Sequence, residues 1–198
     1  MAQTLRDGIG GMVETADEAE RQLIRRMSAG EREALTALFL RFRMPLFGYL
    51  IRVTDCRELA EDVLQETFIA VWRAAPSYSG RSAVRTWLFG IAHHQAHNVL
   101  RRAALPIAEP AELERAESPW PTPEEASLAA AERRELHAAV RRLSLIHREV
   151  LALAFGQELS IAEIAAVLDI PIGTVKSRLR DAKRALRADL SAGKDHAP

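Results

Sequence analysis

Apolar residues recur about every three or four positions through most of the chain, which is the spacing of helices that bury one side. From Asp17 to Arg52 this pattern predicts two helices separated near Ser28-Ala29-Gly30, and Pro45 starts or kinks a third. Ser127 to Arg142 and Leu145 to Phe155 predict two more. The pattern of hydrophobic and polar positions therefore predicts an all-α protein.

A helix predicted to end near Ala75, with Thr54 or Asp55 as its cap, has one apolar and one acidic side. The apolar stripe is formed by Leu59, Val63, Phe68, Val71 and Trp72. The other side carries Glu61, Asp62, Gln65 and Glu66. Two interpretations stay open at this point: a solvated acidic face, or a docking face for a basic partner.

A short helix, a tight turn and a longer basic helix are predicted between Leu159 and Leu190. Ser160 and Glu163 have the spacing of a capping box, and Pro171 suits the first turn of the second helix. The inward side of that helix carries Val175, Leu179, Ala182 and Leu186. Its outer side carries Lys176, Arg178, Arg180, Lys183, Arg184 and Arg187. The pattern is typical of a DNA-binding helix-turn-helix, and the alternative is a solvated helical hairpin.

If the second helix enters a major groove, its geometry places one set of side chains toward base edges and phosphates. These are Thr174, Lys176, Ser177, Arg178, Asp181 and Lys183.

A loop rich in hydroxyl groups, residues 76–82, leads into a basic helix predicted from about Ala83 to Arg102. No acidic residue lies between Glu66 and Glu109. Aromatic and basic residues together suit single-stranded nucleic acid, because bases stack on rings while arginine follows phosphates. The alternative is that the aromatic side chains are core, which is the main role we expect for Trp87.

His93 and His97 stand one helical turn apart, a spacing that can hold zinc. No nearby acid or cysteine in the sequence offers a third ligand, and no His-Glu-x-x-His pattern is present. No nucleophile–base pair or carboxylate pair lies on a recognisable catalytic motif. We therefore predict no metal site, no cofactor and no enzyme activity. A histidine-based metalloenzyme is the alternative that bound zinc would reveal.

Charge is balanced over the whole chain, with 27 basic and 27 acidic residues, but not along it. Residues 106–127 contain six glutamates against one arginine, a net charge of −5, and five of the nine prolines, which predicts an extended acidic linker. Cys56 is the only cysteine, so no internal disulfide can form. The N-terminus lacks the pattern of a signal peptide, and no window reaches the run of about 18 apolar residues that a membrane span requires. The sequence predicts a cytoplasmic protein without membrane insertion.

Four segments together resemble the extracytoplasmic-function (ECF) sigma factors, the smallest group of bacterial sigma factors related to the primary one. AEDVLQETFIAVW (60–72) is similar to the family helix that docks on the coiled coil of the RNA polymerase β′ subunit. SGRSAVRTWLFGIAHHQAHNVLRR (79–102) resembles the segment that reads and opens the −10 element. REVLALAFGQELSIAEIAAVL (148–168) and PIGTVKSRLRDAKRAL (171–186) resemble the −35-binding domain.

The resemblance implies two small helical domains, over 18–105 and 128–190, joined by the Pro/Glu-rich linker 106–127. A flexible tail is expected over 1–17 and a short tail over 191–198. It also implies that the chain binds core RNA polymerase through the β′ coiled coil and the β flap, recognises promoter DNA and is regulated by an anti-sigma factor. The implied function is promoter-specific transcription initiation, without catalysis by this chain.

The resemblance, together with the residue types, assigns three sets of site residues. The polymerase-binding set is Glu61, Asp62, Gln65, Glu66 and Phe68. The −10 set is Tyr78, Ser79, Arg81, Arg85, Trp87, His93, His94, His97 and Arg101. The −35 set is Thr174, Lys176, Ser177, Arg178, Arg180, Asp181, Lys183 and Arg184.

Three positions depart from the family pattern. His93-His94 stand where Arg-Asn is frequent, so base contacts in the −10 helix are expected to differ. Asp169 stands where glycine is common, a mild change because aspartate tolerates a left-handed backbone. Asp181 stands where the family is usually basic, and a carboxylate favours cytosine N4 over phosphate. The alternative function is that of a helix-turn-helix regulator that acts without polymerase docking.

Overall fold

The computed structural model describes residues 16–103 and 128–194, which we call the first half and the second half. Most of the predicted N-terminal tail, the whole predicted linker and residues 195–198 lie outside these ranges. Every regular element in the two described ranges is a helix, which confirms the all-α prediction.

The first half contains four helices, and the break between the first two is close to where the sequence predicted it. They are α1 over 16–28, α2 over Arg32–Thr54, α3 over Arg57–Ala74 and α4 over Val84–Ala103. A 3₁₀ turn, Ala75–Ser77, follows α3 and contains Pro76.

The second half also contains four helices in the described part. They are α5 over Leu128–Arg142, α6 over Leu145–Leu151, α7 over Ile161–Leu168 and α8 over Ile172–Lys194. A π-helical turn, Ala152–Gly156, continues α6. Because α8 runs to Lys194, part of the tail predicted after Leu190 is helical instead.

Pro45 lies inside α2 and does not begin a new helix, so the option of a separate third helix is wrong. Proline removes an intrahelical hydrogen bond and costs a helix about 3 kcal/mol. Phe42, Leu46 and Leu50, at helical spacing around it, are buried. Because burial stabilises each such side chain by about 1.5–3 kcal/mol, packing outweighs the cost of the proline.

The helix ends follow the predicted capping in α7 but not in α3. The N-cap of α3 is Cys56, and Asp55 instead ends α2 in the left-handed conformation, with φ of 53°. Ser160 and Glu163 form both hydrogen bonds of the capping box at the start of α7. Asp169 ends α7 with φ of 52°, the left-handed backbone that the sequence analysis expected at this turn.

The two halves pack against each other. Helix α4 contacts α7, and α2 contacts both α6 and the π-helical turn. One hydrophobic core contains residues of both halves. Polar contacts cross the same boundary: Gln157 Nε2 donates to the Pro45 carbonyl oxygen at 3.1 Å, and Arg141 Nε lies 3.1 Å from Asp55 Oδ1.

Helix α2 is long and apolar enough to cross a membrane by length and composition. It contains no uninterrupted run of about 18 apolar residues, because Arg41 and Arg43 lie within it. Its apolar residues have another use, since Ala34, Leu38, Phe42 and Leu46 are buried in the core. The core helix of a globular fold passes the same test.

Candidate polymerase and nucleic-acid interfaces

The acidic side of α3 is exposed, as the docking interpretation requires. Asp62, Gln65 and Glu66 are exposed and share one helix face with Ile69, which is also exposed. Glu61, likewise exposed, pairs with Arg57 at 2.9 Å. The face therefore combines exposed carboxylates with an apolar side chain, a composition suited to a basic partner with an apolar contact.

Phe68, which was assigned to the same interface, is buried. Its ring packs edge-to-face on Phe39 of α2, with the ring centroids 5.0 Å apart. Phe39 is partly exposed, and Leu40 and Met44 on the same helix are more than half exposed. These three exposed apolar residues were not predicted from the sequence. The available signal was that Leu40 and Met44, one turn apart, lie off the stripe that packs in the core.

The loop before α4 is held from the first helix. Arg21 Nη1 donates to the Gly80 carbonyl oxygen at 2.8 Å, and Asp17 Oδ1 accepts from the Val84 amide at 3.0 Å. Arg21 and Asp17 also pair with each other at 2.7 Å. Gly80 has φ of 72°, a backbone conformation that favours glycine. The loop is therefore fixed in shape by α1.

Tyr78 has a structural role in this loop. Its ring lies 4.9 Å from that of Trp87, centroid to centroid, and its hydroxyl donates to the Ser82 carbonyl oxygen at 2.6 Å. Burial raises the pKa of the Tyr78 hydroxyl, which helps it stay a donor. Ser79 and Arg81 between these anchors are exposed. Of the predicted −10 set, these two residues lie open to solvent beside a partly buried aromatic pair.

Other members of the −10 set face the second half instead of solvent. Arg85 Nη2 donates to the Gln157 carbonyl oxygen, and its α4 neighbour Thr86 lies 3.4 Å from Glu163 Oε1, measured from Oγ1. His94 and Arg101 are exposed. In the packed arrangement, α4 thus presents only part of its predicted DNA-binding surface.

His93 and His97 meet a carboxylate that the sequence analysis overlooked. Glu149 of α6 is only 1% exposed, and its Oε1 lies 2.5 Å from His97 Nε2 and 3.4 Å from His93 Nδ1. The hydroxyl of Tyr49 lies 3.2 Å from the same Nδ1. No acid lies near the two histidines along the sequence, but Glu149 lies beside them in the folded chain. The prediction that no acid is available as a third ligand is therefore wrong.

Glu149 is kept ionised by its partners. Burial alone raises the pKa of Glu149, but hydrogen bonds and charge from His93 and His97 act the other way and leave its pKa below the ordinary value. Tyr49 keeps its proton, because burial first and the charge of Glu149 second raise its pKa well above the usual range. The cluster is therefore a buried anion surrounded by donors.

The helix-turn-helix is formed by α7 and α8, which contact each other across the turn at Asp169. Val175 and Ala182 of α8 are fully buried, as predicted. The opposite side of α8 carries exposed Lys176, Arg180, Lys183, Arg184 and Arg187. Thr174, Ser177 and Arg178 are partly buried at the margin of this basic face.

Three residues of the basic face, Arg180, Lys183 and Arg184, already have partners. Asp181 accepts from Arg184 Nη2 at 2.9 Å and lies 3.7 Å from Arg180 Nε. Lys183 Nζ lies 5.1 Å from the ring centroid of Phe155, which is largely exposed. A DNA contact through Asp181 would have to compete with Arg184, whereas Phe155 helps to position the Lys183 ammonium.

Two family models match this chain. Sigma-70 region 2 matches residues 38–105, and Sigma-70, region 4 matches residues 133–186. The first match covers the acidic face, the loop and α4, and the second covers the helix-turn-helix. A helix-turn-helix regulator without polymerase docking is not favoured, because region 2 is present as well.

The chain is similar in sequence to known sigma factors over most of its length. RNA polymerase sigma-H factor of Pseudomonas aeruginosa is 33% identical over 178 residues, which are 85% of this chain and 92% of that relative. ECF RNA polymerase sigma-E factor of Escherichia coli (strain K12) is 32% identical over 173 residues, covering 83% and 90% respectively.

A solved structure has the same architecture. CnrH, in complex with the cytosolic domain of CnrY, superimposes with a TM-score of 0.66 and 25% identity, over 88% of this chain and 98% of that one. The fold, the family models and the relatives all point to the same family. The chain belongs to the ECF group of RNA polymerase sigma factors, which direct promoter-specific transcription initiation.

Proposed function

We propose that this sigma factor docks on core RNA polymerase through the acidic face of α3, and that its two halves separate to reach the −10 and −35 elements. The observation that carries the proposal is the presence, on opposite halves of one chain, of an exposed acidic face and an exposed basic recognition helix. The β′ coiled coil is the proposed partner of α3, and the β flap that of the second half. Such a protein acts in the cytoplasm and leaves catalysis to the polymerase.

The two halves must separate because the −10 and −35 elements lie far apart on the DNA. Elements centred near −10 and −35 are roughly 25 base pairs apart, or about 85 Å at the rise of duplex DNA. In the packed arrangement α4 touches α7, and α8 begins directly after α7. Helices α4, α7 and α8 have 20, 8 and 23 residues, so even laid end to end they span only about 77 Å. The packed halves, in which α4 contacts α7, therefore cannot reach both elements together.

The chain between the halves is long enough for this movement. At about 3.3–3.6 Å per extended residue, residues 104–127 allow a separation of roughly 80 Å. Separation would also release Arg85, His93 and His97 from the second half, so that they become available to the −10 strand. We propose the −10 roles of Ser79, Arg81 and these three residues on that basis.

Regulation by a protein partner is part of the proposal. CnrH, the solved protein of the same architecture, is held by the cytosolic domain of CnrY. We propose that an anti-sigma factor binds this chain in a comparable way and prevents polymerase docking.

Reconstitution tests the function directly. The purified chain should co-elute with core RNA polymerase and start transcripts from a narrow set of promoters when the holoenzyme is supplied with genomic fragments. A chain that binds promoter DNA specifically in the absence of polymerase, and gives no transcripts in its presence, would instead be a regulator of the helix-turn-helix class.

The recognition helix separates base contacts from phosphate contacts. Lys183→Ala should weaken −35 binding for every sequence, because the exposed ammonium contacts phosphate. The slope of log K for DNA binding against the logarithm of the salt concentration should become less steep by about one unit. Arg178→Ala should cost about 1–3 kcal/mol and relax preference at one base pair, because we propose that Arg178, at the margin of the basic face, reaches a base edge. Binding-site selection with the holoenzyme at two salt concentrations measures both effects. If Lys183→Ala changed the preferred sequence and Arg178→Ala did not, α8 would lie in the groove at another rotation.

A further inference from the structure

The cluster of His93, His97 and Glu149 joins the two halves at one point. The histidines lie one turn apart on α4, and Glu149 lies on α6. Their facing ligand atoms all lie within 4.8 Å of one another. No function assigned above uses this convergence.

The donor set has the chemistry of a zinc site. Two imidazole nitrogens and one carboxylate oxygen are the protein ligands of zinc sites that keep a fourth position for water. Magnesium and calcium prefer ligands that are all oxygen, so two nitrogen donors select against them. The cluster therefore fits a first-row divalent ion such as zinc.

The spacing is close to what such an ion requires. Zinc–ligand bonds of about 2.0–2.2 Å at tetrahedral angles place donor atoms roughly 3.3 Å apart. The distance from His93 Nδ1 to Glu149 Oε1 is 3.4 Å, which meets this requirement. The hydrogen bond of 2.5 Å between His97 Nε2 and Glu149 would have to open by a fraction of an ångström. The side chain of His97 is 42% exposed, so it has room to move and gives an ion access from solvent.

We propose that His93, His97 and Glu149 bind one zinc ion, and that this ion clamps the two halves in the packed arrangement. Tyr49 would not bind the ion itself but would hydrogen-bond to one of its ligands. Its buried hydroxyl, now hydrogen-bonded to His93 Nδ1, becomes available to the Glu149 carboxylate once that nitrogen holds the metal.

The clamp follows from the location of the ligands. Separating the halves removes Glu149 from the histidines and leaves a two-ligand site, so the ion binds the packed arrangement more tightly. An ion present at about 100 times its dissociation constant then raises the ratio of packed to separated chain by up to about 100-fold. Zinc would thereby oppose transcription initiation. This consequence rests on the proposed function, but zinc binding itself does not depend on it.

Metal titration of the free, untagged chain tests the site. Calorimetry should show one zinc ion per chain, and Co²⁺ should give the visible absorption of a tetrahedral complex. His97→Ala and Glu149→Gln should each weaken binding at least tenfold, the lower end of what even outer-shell changes cost. His94→Ala is the matched control, because His94 is exposed on the same helix and outside the cluster, and it should bind as the parent does. Absence of saturable binding by the parent, or unchanged affinity in Glu149→Gln, would overturn the proposal.

A distance measurement tests the clamp without polymerase. Spin labels at Glu33→Cys and Ala188→Cys, both exposed positions, report the separation of the halves in a Cys56→Ser background. Zinc should shift the distance distribution toward the packed arrangement, and should not do so when Glu149→Gln is added. Zinc that binds without changing this distribution would refute the clamp. Failure of transcription in the reconstituted system, with zinc binding intact, would count against the proposed function instead.

Discussion

Reversing two charges on the acidic face, with Asp62→Arg and Glu66→Arg together, is expected to weaken binding to core RNA polymerase by about a hundredfold or more. Both residues are exposed, and neither forms an ion pair within the described residues. Their replacement should therefore leave the fold intact, since exposed substitutions usually change stability by less than about 0.5 kcal/mol. At a docking face for a basic partner, the two introduced arginine side chains would lie against positive charges of that partner and be repelled by them. A loss of about 1.4 kcal/mol at each of the two residues, less than that of a typical hot spot, already corresponds to a hundredfold.

The measurement is the affinity of labelled variants for core polymerase at fixed ionic strength. Glu33→Arg with Glu135→Arg makes the same change in net charge at exposed positions away from α3, and it should retain the affinity of the parent. Equal losses in both double variants would mean that polymerase responds to overall charge. Parental affinity in Asp62→Arg with Glu66→Arg, at an unchanged melting temperature, would remove α3 from the interface.

Local features of the fold could be predicted from the sequence because each depends on neighbours along the chain. The capping box at Ser160 and Glu163 is a contact between residues three apart, and the left-handed turn at Asp169 depends on that residue alone. The same holds for the buried and exposed sides of α8, which follow helical periodicity. Pro45 shows the limit of local reasoning, because its place inside α2 is decided by core packing on both sides of it.

Contacts between the halves could not be predicted in this way. Glu149 lies 52 residues from His97 along the chain, and helical periodicity carries no information about which helix faces which. An acid on an apolar helix is most simply interpreted as solvated, whereas Glu149 is buried against α4. For the same reason the assignment of Arg85, His93 and His97 to the −10 set could not anticipate that they meet the second half in the packed arrangement.

The acidic face of α3 could be predicted from the sequence only in part. Helical spacing was enough to place Asp62 and Glu66 on the side opposite the core stripe. It also placed Phe68 in the core stripe, but it could not show that Phe39 is the residue that packs on it, because that contact joins two helices. The exposed apolar residues next to it, Leu40 and Met44, belong to a helix whose overall composition is that of a core element.

A reversible cross-link between the halves tests the central claim, that they separate to reach both promoter elements. Asp55 and Arg141, whose side chains pair across the boundary at 3.1 Å, are replaced by cysteine in a Cys56→Ser background. A short bifunctional thiol reagent with a reducible disulfide linkage then joins them. Each single-cysteine variant treated with the same reagent serves as the control for modification alone.

The measurement is the yield of promoter-specific transcripts from holoenzyme assembled with the linked chain, before and after reduction. We expect the linked chain to give no specific transcripts, because it cannot occupy elements about 85 Å apart, and reduction to restore the yield of the unlinked variant. Transcripts from the linked chain at the yield of the reduced one would contradict the account, since the packed arrangement would then initiate transcription without opening.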